Sequence, residues 1–162
     1  MLIIKEVQKM RQKWLWLLLI SINIFFLYNI ISSLNFEIID FLSILILLSV
    51  TYFFYTIKLM YSISENSIII NFAPFYEKNI QINDIVEVSI IKYSPLKDYG
   101  GWGIRIKNNI TAFTIGGNTG ILILLKNKEQ ILIGSKFKID FLYFKLEELL
   151  KLYPNIKLKK DV

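Results

Sequence analysis

Two long stretches of the chain carry no charge: none falls between Lys13 and Glu37, and none between Asp40 and Lys58. The first apolar run extends from Trp14 to Leu34, and the second, after a break at Asn35 to Asp40, from Phe41 to Ile57. A helix needs about 20 mostly apolar residues to cross a hydrocarbon core of about 30 Å. The first run meets that length, and the second does when Ile38 and Ile39 are counted with it. The pattern therefore predicts a transmembrane helical hairpin over residues 14–57, with spans at about 14–34 and 39–57. A buried hairpin in a soluble protein is the rival reading, and the length of the two uncharged runs counts against it.

Beyond Lys58 the period changes to two, the signature of half-buried strands. Leu59 to Ile63 and Ser67 to Phe72 flank the turn residues Ser64-Glu65-Asn66, with Ile68, Ile70 and Phe72 on one face. Lys78 to Ile82 is a short third strand, and Val86 to Tyr93 a fourth, with Val86, Val88 and Ile90 read as inward and Glu87 and Ser89 as outward. Ser94-Pro95 begins a loop, after which Ile104 and Ile106 alternate with Arg105 and Lys107. Thr111 to Ile115, Ile121 to Leu125 and Gln130 to Ile133 follow as strands. Ile139, Leu142, Leu146, Leu149 and Leu150 recur at helical spacing, and Pro154 closes that helix. The expected fold class is α+β: the hairpin, then about seven short strands forming an antiparallel barrel or sandwich capped by a C-terminal helix, over residues 58–162.

Charge fixes an orientation. Residues 1–13 form a basic flank, with Lys5, Lys9, Arg11 and Lys13 against Glu6 alone, and Lys58 closes the second span. The loop between the spans holds Glu37 and Asp40 and no basic residue. Because positive residues favour the cytoplasmic side, both termini are expected at the cytoplasmic face of the inner membrane. No short apolar segment ending in a small-residue cleavage site is present, so the start is not read as a signal peptide. The net charge of +6 is too diffuse for a nucleic-acid footprint and suits a surface facing anionic lipid.

The chain contains neither cysteine nor histidine. Thiol nucleophiles, Ser-His-Asp triads and the usual zinc ligands are thereby removed, and no catalytic, cofactor-binding or metal-ligating residue is assigned. Within the spans, Asn23 and Asn29 on one helix and Ser43, Ser49 and Thr51 on the other are the polar groups. Depth counting at about 1.5 Å per residue sets Asn23 level with Ser49 and Asn29 level with Ser43. Six residues apart, the two asparagines cannot share one interface, so one is expected to bond across the hairpin. No ionisable side chain lies inside either span, and the hairpin reads as an anchor.

The run Pro95-Leu96-Lys97-Asp98-Tyr99-Gly100-Gly101-Trp102-Gly103-Ile104-Arg105 carries a resemblance, together with Gly117-Asn118-Thr119-Gly120 and Leu132-Ile133-Gly134-Ser135. With the opening Glu6-Val7-Gln8 and Arg11 to Trp16, these segments resemble an uncharacterised family of bacterial membrane proteins. That family has two N-terminal spans followed by a pleckstrin-homology-like (PH-like) domain. The resemblance implies a bent seven-stranded barrel closed by a C-terminal helix, and it implies no chemistry. The chain departs from the family after Ser135, where Lys136 to Asp140 replace a proline-led helix start.

Two sets of residues invite a function. Tyr99, Gly100, Gly101, Trp102 and Gly103 could form a backbone nest for a phosphate. They read better as a structural loop whose glycines permit a bulge while Trp102 plugs the barrel, a role whose loss would cost about 3 to 5 kcal/mol. Lys92, Lys97, Arg105 and Lys107 form the candidate lipid or partner surface. The first hairpin turn, Ser64-Glu65-Asn66, lacks the basic cluster of phosphoinositide-binding relatives of the PH fold. The expected function is thus a membrane-anchored, non-catalytic module that recruits or steadies a protein partner. A sensor of anionic lipid is the alternative, and an enzyme a distant second one.

Overall fold

The computed structural model describes residues 2–32 and 37–161. Ser33-Leu34, where the first span was expected to end, and Asn35-Phe36 of the connecting loop lie outside the described residues. The chain divides into two compact units: Lys9–Ile57, and the N-terminal residues through Gln8 joined to the chain from Lys58 onward.

The first unit is a pair of helices, α1 (Lys13–Ser32) and α2 (Ile38–Thr56), each long and apolar enough to span a membrane. Asp40 starts α2 by accepting from the Glu37 backbone N–H at 2.9 Å, a carboxylate at the positive end of the helix dipole. Asn23 donates to Leu19 O at 2.7 Å and across the pair to Thr51 Oγ1 at 3.1 Å. The cross-hairpin bond is therefore made, but to Thr51 and not to Ser49, whose hydroxyl turns back to Leu45 O. Asn29 likewise donates to its own helix at Phe25 O.

The second unit is built from two sheets. One has the order β1-β2-β3-β4, from β1 (Leu2–Lys9), β2 (Lys58–Ser64), β3 (Ser67–Ala73) and β4 (Tyr76–Gln81). The period-two pattern holds here: Leu59, Tyr61 and Ile63 of β2 and Ile68, Ile70 and Phe72 of β3 all point inward. A 3-10 turn at Ile82–Asp84 leads to the second sheet. Its strands are β5 (Ile85–Lys92), β6 (Gly103–Lys107), β7 (Ile110–Thr114), β8 (Thr119–Leu125), β9 (Gln130–Ser135) and β10 (Lys157–Asp161). Their order is β10-β5-β8-β9-β7-β6. Two short elements interrupt the run: α3 (Pro95–Tyr99) and the C-terminal helix α4 (Ile139–Leu150). The helix buries Leu142, Leu146, Leu149 and Leu150, as its spacing predicts.

Three expectations are corrected. Among the described residues, ten strands in two sheets take the place of about seven in an antiparallel barrel or sandwich; no barrel is closed, and the pairing is mixed, because β7–β9 and β10–β5 run parallel. Residues 1–13 are not simply a flank outside the β-rich unit, since Leu2–Lys9 is a strand of it. In β5 the register slips between Ile85 and Glu87, leaving Val86 as an extra, partly exposed residue. That bulge shifts the alternation before Glu87 by one, so Ile85 is buried where Val86 was expected to be, while Val88 and Ile90 are buried as expected; Ser89, expected to face outward, is buried too.

Both faces of the central strands β8 and β9 are covered, which explains their near-continuous apolar runs. Ile121, Ile123, Ile131 and Ile133 are fully buried, while Leu132 belongs to a separate cluster with Tyr93 and Ala112. Tyr99 of α3 packs against that cluster, edge-on to Tyr93 with ring centroids 6.1 Å apart.

Candidate functional site

The glycine-rich loop is held from within. Ser94 caps α3 through the Lys97 N–H, and Gly100 ends it in the left-handed conformation, φ 70°. The Gly100 N–H donates to Leu96 O at 3.1 Å and the Gly101 N–H to Pro95 O at 2.8 Å. Those two amides are used within the loop. Trp102 is only half-buried, so it does not plug the core and its truncation should fall below the range for a core aromatic. Tyr99 and its glycines act by laying α3 over Tyr93, Ala112 and Leu132.

Of the four basic candidates, the structure gathers three. Lys97 lies on α3, and Arg105 and Lys107 lie on the neighbouring edge strand β6, all exposed. The Lys107 ammonium donates to Asp98 O, tying β6 to α3. Arg105 lies beside the loop, its Nη2 3.4 Å from where a Cβ on Gly101 would stand. Lys92 ends β5, four strand spacings from β6 in the sheet order, about 19 Å at the usual strand spacing. Between Arg105 and Lys107, Ile106 is 79% exposed on a strand that, among the described residues, lies at the sheet edge and pairs with β7 alone.

The residues that sequence reasoning passed over lie inside. Glu6 of β1 is 8% exposed, and its Oε2 accepts from Tyr61 Oη at 2.8 Å and from Ser135 Oγ at 2.7 Å. Its Oε1 accepts from the Lys136 N–H at 3.0 Å, and Ser135 Oγ accepts from the Phe137 N–H at 3.1 Å. Gln8 adds a bond from Nε2 to Gly134 O at 2.7 Å. A carboxylate, a serine and a tyrosine in contact suggest chemistry, but Tyr61 and Ser135 are both buried. The cluster instead clamps the start of the chain to residues 130 positions later. Only the alternation of Ile4, Glu6 and Gln8 could have signalled this strand, and two of its three inward residues are polar.

Burial pushes the Tyr61 phenol far above its ordinary value; the Ser135 hydrogen bond offsets this in part, and the Glu6 carboxylate adds to it. In the unfolded chain Tyr61 ionises near pH 10, whereas the folded chain keeps its proton. The unfolded state thus releases a proton first, and stability, complete below about pH 10, falls as the pH rises above it. Tyr61→Phe should flatten that alkaline fall. At neutral pH it should cost about 1.5 to 3 kcal/mol, the usual range for a hydrogen bond to a charged group. Denaturant unfolding of the full chain at pH 7 and above pH 10 reads both effects.

A second buried tyrosine, Tyr93, differs in having no partner for its hydroxyl among the described residues. Gly120 and Gly134 are directly paired across β8 and β9, and the Tyr93 ring lies over the pair. A Cβ on Gly134 would stand 2.3 Å from Tyr93 Oη, and one on Gly120 2.5 Å from Leu132 Cδ1. The buried Tyr93 hydroxyl has no hydrogen-bond partner among the described residues. Tyr93→Phe is therefore expected to leave stability unchanged or raise it. Gly134→Ala should cost about 1 to 3 kcal/mol by overpacking, and part of that loss should return when Tyr93→Phe is combined with it. Thermal melts of the two single variants and the double variant decide the point.

Among the described residues, no group of three or more acidic side chains is placed to hold a metal ion. The chain matches no protein-family model, no curated protein and no solved structure.

Proposed function

We propose that this protein is a membrane-anchored, non-catalytic binding module. Its β-rich unit would lie at the cytoplasmic face of the inner membrane and recruit or steady a protein partner along the edge of β6. One observation carries the reading: a large aliphatic residue, Ile106, is 79% exposed on an edge strand between Arg105 and Lys107. Edge strands ordinarily carry charge to discourage pairing. An exposed isoleucine there gives an incoming strand both backbone groups and a side chain to bind.

The orientation has support beyond the basic flank. β1 and β2 are neighbours in one sheet although the two helices separate them in sequence. If the helices cross the bilayer, both ends of the pair must return to the same side. Two apolar helices, a β-rich unit and a C-terminal helix also favour the PH-like reading. The mixed ten-strand arrangement is what such a domain would have to accommodate.

A photo-crosslinking residue at Ile106 of the full chain, expressed in bacterial membranes, tests the reading. A discrete protein adduct is expected at Ile106 and not at Ile69, and it should be lost with Ile104→Pro in the same strand. Adducts to lipid alone would favour the anionic-lipid reading, for which Lys97, Arg105 and Lys107 supply the charge.

A further inference from the structure

A cavity of about 580 Å³ lies between the 3-10 turn, the start of β5 and the loop that follows α4. Its floor is apolar and buried, from Ile82, Ile85 and Ile156. Two further apolar residues line it while remaining open to solvent: Val86, and Leu152 at 62% exposure. Val86 is there because the β5 bulge inserts it as an extra residue, and bulges commonly re-aim a side chain beside a site.

The polar lining points the same way. Lys126 is the one charged side chain among the lining residues, its backbone N–H fixed to Asp84 O at 2.9 Å. Its ammonium has no ion pair or hydrogen bond among the described residues. The amides of Asn83 and Asn155 add neutral donors. The lining is about evenly polar and apolar, and small-molecule sites of about this volume use such polar groups to fix orientation. We propose that this cavity binds a small amphipathic monoanion, a carboxylate on a short hydrocarbon body. The carboxylate meets Lys126, and the hydrocarbon lies along Val86, Leu152 and Ile156. The site is separate from the β6 edge and does not rest on the partner-recruiting reading.

The test uses the full chain in nanodiscs of zwitterionic lipid, with isoleucine methyl groups labelled for NMR and hexanoate as the probe. Saturable shifts confined to Ile82, Ile85 and Ile156 are expected. Hexanamide, of the same length but uncharged, should bind about fivefold more weakly, the value of one exposed ion pair. Lys126→Glu should weaken hexanoate by at least that factor and leave hexanamide unchanged. Leu152→Asp should weaken both probes. Unsaturable shifts, shifts only at isoleucines of the two helices, or equal binding of both probes unaffected by Lys126→Glu would overturn the proposal.

Discussion

Gly117→Ala is expected to cost the β-rich unit about 3 kcal/mol or more, a large fraction of the roughly 5 to 15 kcal/mol that stabilises an ordinary domain. Two effects combine. Gly117 sits at φ +78°, where an L side chain costs about 1 to 2 kcal/mol. A Cβ there would also stand 2.1 Å from Ser135 O, a backbone atom that cannot swing aside. Gly100→Ala separates the two: its φ of +70° is similar, but nothing lies within 4 Å of the added carbon. It should show the conformational cost alone. Denaturant unfolding of both variants in the full chain measures the difference, and equal losses would refute the steric part of the argument.

Glu6→Ala should be about as damaging. It removes the acceptor for Tyr61, Ser135 and the Lys136 N–H in one step. An unsatisfied buried group costs about 1 to 3 kcal/mol, so the loss should reach about 3 kcal/mol or more. Glu6→Gln keeps an acceptor oxygen and should lose less. The damage should also be local at first: β1 would detach before β2 and β3 open, because the Glu6 and Gln8 contacts join it to the strand that ends at Ser135. An alanine variant that melted like the parent would show that the carboxylate does not hold the strand.

The parts legible in the sequence were those where one face is apolar and the other polar. The two uncharged runs mark α1 and α2, and the alternation of Leu59, Tyr61, Ile63 and of Ile68, Ile70, Phe72 marks the first hairpin of strands. The spacing of Leu142, Leu146 and Leu149 marks α4. The parts that were not legible share a cause: polar atoms at inward or pairing positions. β1 buries Glu6 and Gln8, which read as surface residues until their partners at Tyr61, Ser135 and Gly134 are known. β10 reads as a basic tail, yet Lys159 pairs with Glu87 at 2.9 Å and Lys160 with Asp140 at 2.8 Å while its backbone runs beside β5. The Lys160 ammonium holds the exposed Asp140 carboxyl below its ordinary value. Val86 was misplaced because a bulge shifts the period without changing composition.

The candidate surface was legible in part for a similar reason. Sequence neighbours Arg105 and Lys107 share a strand, and Lys97 joins them because α3 folds against β6. Lys92 is close in sequence but separated by the strand order, which local pattern does not encode. The segments Gly117 to Gly120 and Leu132 to Ser135 turn out to be structural: they make room for the Tyr93 ring and supply the clamp for Glu6.

The central claim is that residues on both sides of the apolar helices build one β-rich unit. Hydrogen exchange of the full chain in nanodiscs tests it most directly, amide by amide. The account predicts that amides of Ile4 to Gln8 exchange as slowly as those of β2, and that Glu6→Ala selectively speeds them. Exchange of those amides at the rate of a free chain, with β2 and β3 still protected, would contradict it.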